Sequence, residues 1–191
     1  DQMVVGYNQL YGWKTAYASP ENQPVYLHAH KLMRKHWQDM PSVGDIGGNK
    51  WEKVTEHVND NYFFIDMDKY NLEAVLRKGA ELVKRKGIKC LVLDPFNKIR
   101  DVNAHSDDVN RYTMDYLAKI EAFCKKYDVL TFIVAHPTKM YKGQDGKIEE
   151  PTMYNIKGGG EWYDASYHGL LVHRDYEAKT TKVKVLKVKF Q

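Results

Sequence analysis

The chain has 191 residues, enough for one ordinary domain with a well-buried core. Its formal net charge of +4 is too small to indicate a polyanionic partner by itself, although five lysines cluster near the end: Lys179, Lys182, Lys184, Lys187 and Lys189. The two cysteines cannot form a disulfide framework and suit a reducing compartment. No apolar run approaches the ~20 residues of a membrane-spanning helix. We therefore predict a soluble intracellular protein with no membrane partner.

The predicted elements alternate between strands and helices through most of the chain. Up to residue 87, the pattern predicts a helix over 1–11, a strand over 13–19, helices over 24–38 and 50–58, a strand over 61–66 and a helix over 72–87. After that come a strand over 89–94, a helix over 107–127, a strand over 129–136, a polar loop over 139–151 and strands over 168–174 and 182–190.

This order of elements predicts the α/β fold class. Two of the strands are apolar almost throughout, which is typical of a parallel sheet covered by helices on both faces. We predict a single domain over residues 1–191, mainly a parallel sheet flanked by helices, that ends in antiparallel strands. In the last strand, lysines alternate with apolar residues but the phase slips by one at Val185–Leu186, which predicts a β-bulge.

Candidate functional residues follow three of the predicted strands. Ligands of open α/β sheets bind at the carboxyl ends of the strands, where this sequence places Glu21, Asp94 and His136. A carboxylate directly after an apolar strand suits a magnesium ion held through water beside nucleotide phosphates. A second carboxylate can deprotonate the attacking water, and an imidazole can contact the γ-phosphate. Alone, each residue could simply cap a turn, so the prediction rests on their convergence at one edge.

Four segments of the chain resemble successive motifs of the ring-shaped replicative DNA helicases of the DnaB and Twinkle type. They are SPENQP at 19–24, LVLDPFN at 91–97, IVAHPTK at 133–139, and PTMYNIKGGGEWYDASYHGLLVHRD at 151–175. The resemblance implies a RecA-like P-loop NTPase core. It also implies hydrolysis of ATP or another NTP with Mg²⁺, assembly into a homo-hexameric ring, and movement on single-stranded DNA. By the same resemblance, we expect the cytoplasm of a bacterial or phage-infected cell, with mitochondria left open.

The resemblance gives roles to the strand-end residues. Glu21 is similar to the family's catalytic glutamate, and Asp94 to the aspartate that holds Mg²⁺ through water. His136 matches the γ-phosphate sensor. The lysines Lys139, Lys142 and Lys147 resemble those of the loop that contacts single-stranded DNA, a role that suits cations on a glycine-bearing segment. An ordinary solvated surface loop is the competing interpretation.

Three residues of the last two strands are candidates for contact with nucleotide across a subunit interface. Lys187 and Lys189 fall where relatives carry a Lys-x-Arg pair that reaches the neighbouring subunit's nucleotide. Here the second member is lysine, which lacks the planar fork that contacts phosphate oxygens in pairs. Arg174 is a further candidate for a nucleotide or interface contact, and a surface arginine at a strand end is the alternative.

The family's phosphate loop, a glycine-rich turn followed by Lys-Ser or Lys-Thr, appears nowhere in the 191 residues. Since that loop would precede the first helix, we expect the domain's first strand and phosphate loop to lie before residue 1. We also expect this chain alone to be inactive toward ATP. Three functions stay open: the ATPase core of a helicase, a non-catalytic DNA-binding or ring-assembly module, and a RecA-type recombinase or regulatory ATPase.

Overall fold

The computed structural model describes residues 1–37, 49–100, 109–140, 150–175 and 178–190. The chain divides into two compact units. The first comprises Asp1–Val102 and Ala122–Val134, and the second comprises Asn103–Glu121 and Ala135–Gln191. The prediction of one domain over the whole chain stays a prediction.

The first unit holds four helices and four strands, together with the end of a fifth helix. In chain order they are α1 (Gln2–Tyr11), β1 (Lys14–Ala18), α2 (Val25–His36), α3 (Asn49–Asn61), β2 (Tyr62–Phe64), α4 (Leu72–Lys86), β3 (Ile88–Leu93), the end of α5 (Val109–Tyr127) and β4 (Leu130–Ile133). The helix α4 begins at Asn71, whose side chain accepts a hydrogen bond from the Ala74 amide. It ends at Gly87, which adopts φ 70°, as the sequence predicts for a glycine stop.

The four strands form a parallel sheet in the order β2-β1-β3-β4. The strands β1 and β3 lie in the middle and are buried almost throughout, which explains their continuous apolar sequence. The predicted parallel α/β fold is confirmed. In the register of the central pair, Ala18 lies opposite Leu93, so the residues that follow them, Ser19 and Asp94, leave the sheet side by side.

The strand β4 is shorter than predicted, ending at Ile133 rather than at His136. The Val134 amide still donates to the Leu93 carbonyl at 2.9 Å, but the Val134 carbonyl accepts from the Phe96 amide at 2.8 Å. The turn after β3 therefore takes over the hydrogen bonding that would have continued the ladder.

The second unit contains the start of α5, the helix α6 (Gly159–Ala165) and the antiparallel strands β5 (His168–Asp175) and β6 (Thr180–Val188). Gly169 lies opposite Lys187 and Leu170 opposite Val185, so Leu186 is an extra residue on β6. The predicted bulge at Val185–Leu186 is confirmed. Within the described parts of the chain, no helix has the length and apolar character needed to cross a membrane.

Candidate functional site

Asp94 lies at the carboxyl edge of the parallel sheet, directly after the buried strand β3. Ser19, at the end of the neighbouring strand, is 6 % exposed and donates its hydroxyl hydrogen toward Asp94. Ser19 Oγ lies 3.1 Å from the Asp94 carbonyl oxygen and 3.3 Å from Oδ2 of the Asp94 carboxylate. The parallel register therefore brings a hydroxyl donor to the strand-end carboxylate.

A second donor to Asp94 comes from the turn that follows β1. Asn22 Nδ2 donates to Asp94 Oδ2 at 3.0 Å and to Ser19 Oγ at 2.7 Å. On its other side, Asn22 Oδ1 accepts a hydrogen bond from Lys31 Nζ on α2 at 3.1 Å. We call these four side chains the Asp94 network: Asp94, Ser19, Asn22 and Lys31. With donors on one carboxylate oxygen, the Asp94 side chain is held in one orientation at the sheet edge.

The sequence predicted Asp94 at this edge but missed the residues that hold it. Ser19 and Asn22 flank Glu21 in the SPENQ segment, so their position after a strand was the available signal. Glu21 itself is exposed on the same turn, and Asn22 is the residue of that turn that hydrogen-bonds Asp94. The two predicted carboxylates therefore belong to one unit and one edge, with Asp94 fixed and Glu21 open to solvent.

The other predicted site residues follow β4 in the chain. His136 and Lys139 come soon after that strand and are both exposed. Lys142 and Lys147 lie outside the described residues. Arg174 Nη1 donates to Thr181 Oγ1 at 3.0 Å, across the pair that these residues form in the hairpin. Arg174 is therefore engaged within its own hairpin.

The strand lysines Lys187 and Lys189 contact aromatic residues of their own unit. Lys187 Nζ lies 4.6 Å from the centre of the Tyr163 ring and donates to the Tyr163 carbonyl oxygen at the end of α6. It also donates to the Asp164 carbonyl at 3.4 Å. Lys189 Nζ lies 4.5 Å from the centre of the Tyr167 ring. The role of this pair toward a neighbouring subunit stays a prediction, and in this structure both cations stabilise the hairpin side of the second unit.

A buried histidine lies on the helix that carries Lys31. His28 is 2 % exposed, its ring packs edge-on against Tyr17 at 4.6 Å, and its Nε2 lies 3.1 Å from Oδ1 of Asp1. Loss of solvent is the largest cause that lowers the pKa of His28, to about 4, and the nearby Lys31 charge acts in the same direction. His28 is therefore neutral at pH 7 and adds no charge beside Asp94.

The donors around Asp94 limit how a metal ion could bind. Among the residues that the structure describes, no three His, Cys, Asp or Glu side chains are grouped so as to hold a metal ion. A single carboxylate with neighbouring hydroxyl and amide groups suits a hard cation that keeps most of its water, as Mg²⁺ does beside phosphates. The donor set therefore fits the predicted magnesium contact through water and does not fit a dehydrated metal centre.

The parallel sheet, its flanking helices and the carboxylate after its central strand define a RecA-like ATPase fold. The structure is similar to a solved ATPase domain of another protein, with a TM-score of 0.68 and 12 % identity over 94 % of this chain and 68 % of that one. It is equally similar to a DnaB-like replicative helicase, with a TM-score of 0.68 and 12 % identity over 94 % of this chain and 46 % of the other. At these identities the likeness shows the fold.

Among curated proteins, the chain is 29 % identical over 191 residues to the Twinkle homolog protein, chloroplastic/mitochondrial, of Arabidopsis thaliana. The match covers 92 % of this chain but 26 % of that protein, so the chain spans about a quarter of its relative's length. No family model matches the sequence. The predicted resemblance to the RecA-like ATPase domains of DnaB-type and Twinkle-like helicases is confirmed.

Proposed function

We propose that this chain forms part of the ATPase and translocase core of a replicative DNA helicase. The observation that carries the proposal is the Asp94 network, in which Ser19 and Asn22 fix a strand-end carboxylate at the carboxyl edge of a RecA-like sheet. The likeness to a Twinkle homolog and to DnaB-like helicase structures supports the same function. Since the chain spans about a quarter of that homolog, activity, substrate and partners are proposed for the protein that contains it.

In this proposal Asp94 accepts hydrogen bonds from water molecules around a magnesium ion that accompanies ATP or another NTP. The bound ion would supply neutralisation of the phosphate charge. Ser19 and Asn22 keep the Asp94 carboxylate from rotating, so its orientation is set before the ligand arrives. The exposed Glu21 carboxylate orients the attacking water and accepts its proton. His136 contacts the γ-phosphate and responds to its loss.

The remaining predicted residues would act between subunits and on DNA. We propose a homo-hexameric ring in which Arg174, Lys187 and Lys189 approach a neighbour's nucleotide. For Lys187 this requires release of the Tyr163 carbonyl and ring. The lysines Lys139, Lys142 and Lys147 would contact the phosphates of single-stranded DNA, which position a strand without reading its sequence.

The proposal is tested by two carboxylate substitutions in the full-length protein. Asp94→Asn and Glu21→Gln are each expected to lower ATP hydrolysis stimulated by single-stranded DNA by about 10²-fold or more, because each removes a charge that the reaction uses. Binding of a fluorescent ATP analogue should survive in Glu21→Gln, since that residue acts on the water. The measurement is phosphate release with and without oligo-dT.

Asp68→Asn is the matched control, because Asp68 is an exposed carboxylate in the loop before α4 and far along the chain from the strand ends. It should leave hydrolysis unchanged. Hydrolysis at the level of the unmodified protein in both Asp94→Asn and Glu21→Gln would contradict the proposed function.

A further inference from the structure

A groove lies between the C-terminal parts of α4 and α5, within the first unit and outside the Asp94 network. It encloses a cavity of about 460 Å³. Its floor is apolar and consists of Leu76, Ala80, Phe123 and Tyr127. The volume lies within the range of ~300–1,000 Å³ that is usual for ligand pockets. Nothing in the proposed reaction uses this groove.

Small residues of α4 create the groove. At Gly79 an added Cβ would lie 3.1 Å from Cζ of Phe123 and 3.6 Å from Cδ2 of Leu91, so glycine permits the helix to approach the Phe123 ring. Ala80 follows and is only half-buried, which leaves space above the ring that a longer side chain would fill. The floor is therefore a surface of the folded helices rather than a gap inside the core.

The rim of the groove is basic. Arg77, Lys84 and Lys126 line it, and all three are exposed. Both helices also end in basic residues: Lys84, Arg85 and Lys86 on α4, and Lys125 and Lys126 on α5. The acid at the rim, Glu81, accepts a hydrogen bond from Lys78 at 3.1 Å, so its charge is locally compensated. An apolar floor is thus bordered by an excess of positive charge.

We propose that this α4–α5 groove binds an acidic amphipathic helix of another protein. Apolar side chains spaced three or four residues apart on that helix would fill the floor, and carboxylates beside them would contact Arg77, Lys84 and Lys126. A second copy of this chain fits less well, because its net charge of +4 would bring like charges together. A nucleic acid offers phosphates to the rim, yet a floor of aliphatic and aromatic side chains gains most from apolar anchors.

The test uses a fluorescein-labelled synthetic peptide that forms a helix of about 20 residues, with leucines along one face and glutamates on both flanks. Fluorescence anisotropy with the full chain should give a dissociation constant in the range of ~1–100 μM, as for other exposed helix grooves of modest area. The same peptide with every glutamate replaced by glutamine should bind at least about tenfold more weakly, because the rim contributes through charge. Oligo-dT of equal length serves as the nucleic-acid probe.

Two sets of variants separate the floor from the rim. Ala80→Trp fills the floor, and Arg77→Glu with Lys84→Glu and Lys126→Glu reverses the rim; each should weaken peptide binding about tenfold or more. The control is Arg34→Glu with Lys53→Glu and Lys69→Glu, which changes the net charge equally at exposed positions elsewhere in the first unit. This control should retain tight binding. Tyr127→Ser replaces Ala80→Trp if circular dichroism shows that the tryptophan variant is unfolded.

Three results would overturn the proposal. The first is failure of the acidic peptide to bind the unmodified chain. The second is equal loss of binding in the rim variant and its control, which would indicate attraction by net charge alone. The third is binding of oligo-dT that depends on the rim, with peptide binding that is unaffected by Ala80→Trp or Tyr127→Ser. That outcome would assign the surface to nucleic acid.

Discussion

The two units of the chain treat the same apolar residue types in opposite ways. In the parallel sheet Leu91 and Leu93 are fully buried, whereas in the hairpin Val172 is 67 % and Val183 64 % exposed. A two-stranded hairpin gains little from burial by itself. What fixes β6 to its surroundings is instead a bulge and a set of lysine contacts, with Lys187 on α6 and Lys189 on Tyr167.

The contrast indicates where rigidity is available for chemistry. Asp94 follows a strand that is buried on both faces, so its backbone is fixed by the core and its side chain by Ser19 and Asn22. The hairpin residues Arg174, Lys187 and Lys189 are held by contacts at the surface, which are weaker and can be exchanged. A preset orientation is therefore a property of the carboxylate in the first unit, whereas the cations of the hairpin can change partners when a ligand competes for them.

The largest expected effect comes from truncating the same kind of side chain in each unit. Leu91→Ala should lower the free energy of unfolding by about 2–5 kcal/mol, because it leaves a cavity between the sheet and its helices. Val183→Ala on the exposed face of β6 should change it by under ~0.5 kcal/mol. Urea denaturation followed by circular dichroism measures both. Equal losses would mean that the hairpin face is covered in solution and would remove the contrast.

The second effect concerns a polar cluster inside the first unit. The rings of His36 and His57 lie 4.8 Å apart; His36 Nε2 is 2.6 Å from the Tyr62 hydroxyl, and His57 Nε2 is 3.1 Å from Oδ1 of Asn8. Burial is the main cause that lowers the pKa of His36, to about 4, and His57 lowers it further. Burial also lowers the pKa of His57, while the nearby Asp60 opposes that shift.

A lowered folded-state pKa means that the unfolded chain binds the proton more tightly. Stability is therefore full above pH 6.5 and falls as the pH drops toward 4; we expect a loss of about 1–2 kcal/mol after allowance for partial exposure. His36→Gln should flatten this dependence. His30→Gln, on the exposed face of the same helix, should leave it unchanged. Urea midpoints between about pH 7 and about pH 4 provide the measurement, and an unchanged slope in His36→Gln would refute the assignment.

Features that depend on neighbouring residues in sequence were predictable from it. The apolar runs predicted the buried parallel strands, Gly87 predicted the end of α4, and the slip at Val185–Leu186 predicted the bulge. Each follows from local geometry: the twofold period of a strand, the left-handed conformation of a helix stop, or the phase of alternation. The sequence also placed Asp94 at the end of its strand, because a strand's end is itself a local feature.

The contacts that orient the site depend on residues far apart in sequence. Asn22 reaches Asp94 because Ala18 pairs with Leu93, a register that no local pattern specifies. Lys187 looked free for a neighbouring subunit, but its contacts depend on where the end of α6 lies relative to β6. Propensity and spacing gave no information on either pairing, since both are decided by packing.

The smallest expected effect distinguishes two lysines of the same strand. Lys187 contacts two carbonyl oxygens and the face of Tyr163, whereas Lys184 forms an exposed ion pair with Glu150 at 2.8 Å. Lys187→Met keeps most of the length of the side chain but removes its charge, and should cost about 0.5–1.5 kcal/mol of unfolding free energy. Lys184→Met should have no measurable effect in about 0.5 M NaCl, because salt screens exposed pairs. The Lys187→Met loss should largely persist in that salt, since the carbonyl and ring contacts are short-ranged and partly buried. If both losses vanish together in salt, Lys187 is an ordinary surface cation, and β6 is tied to α6 by its backbone and apolar contacts alone.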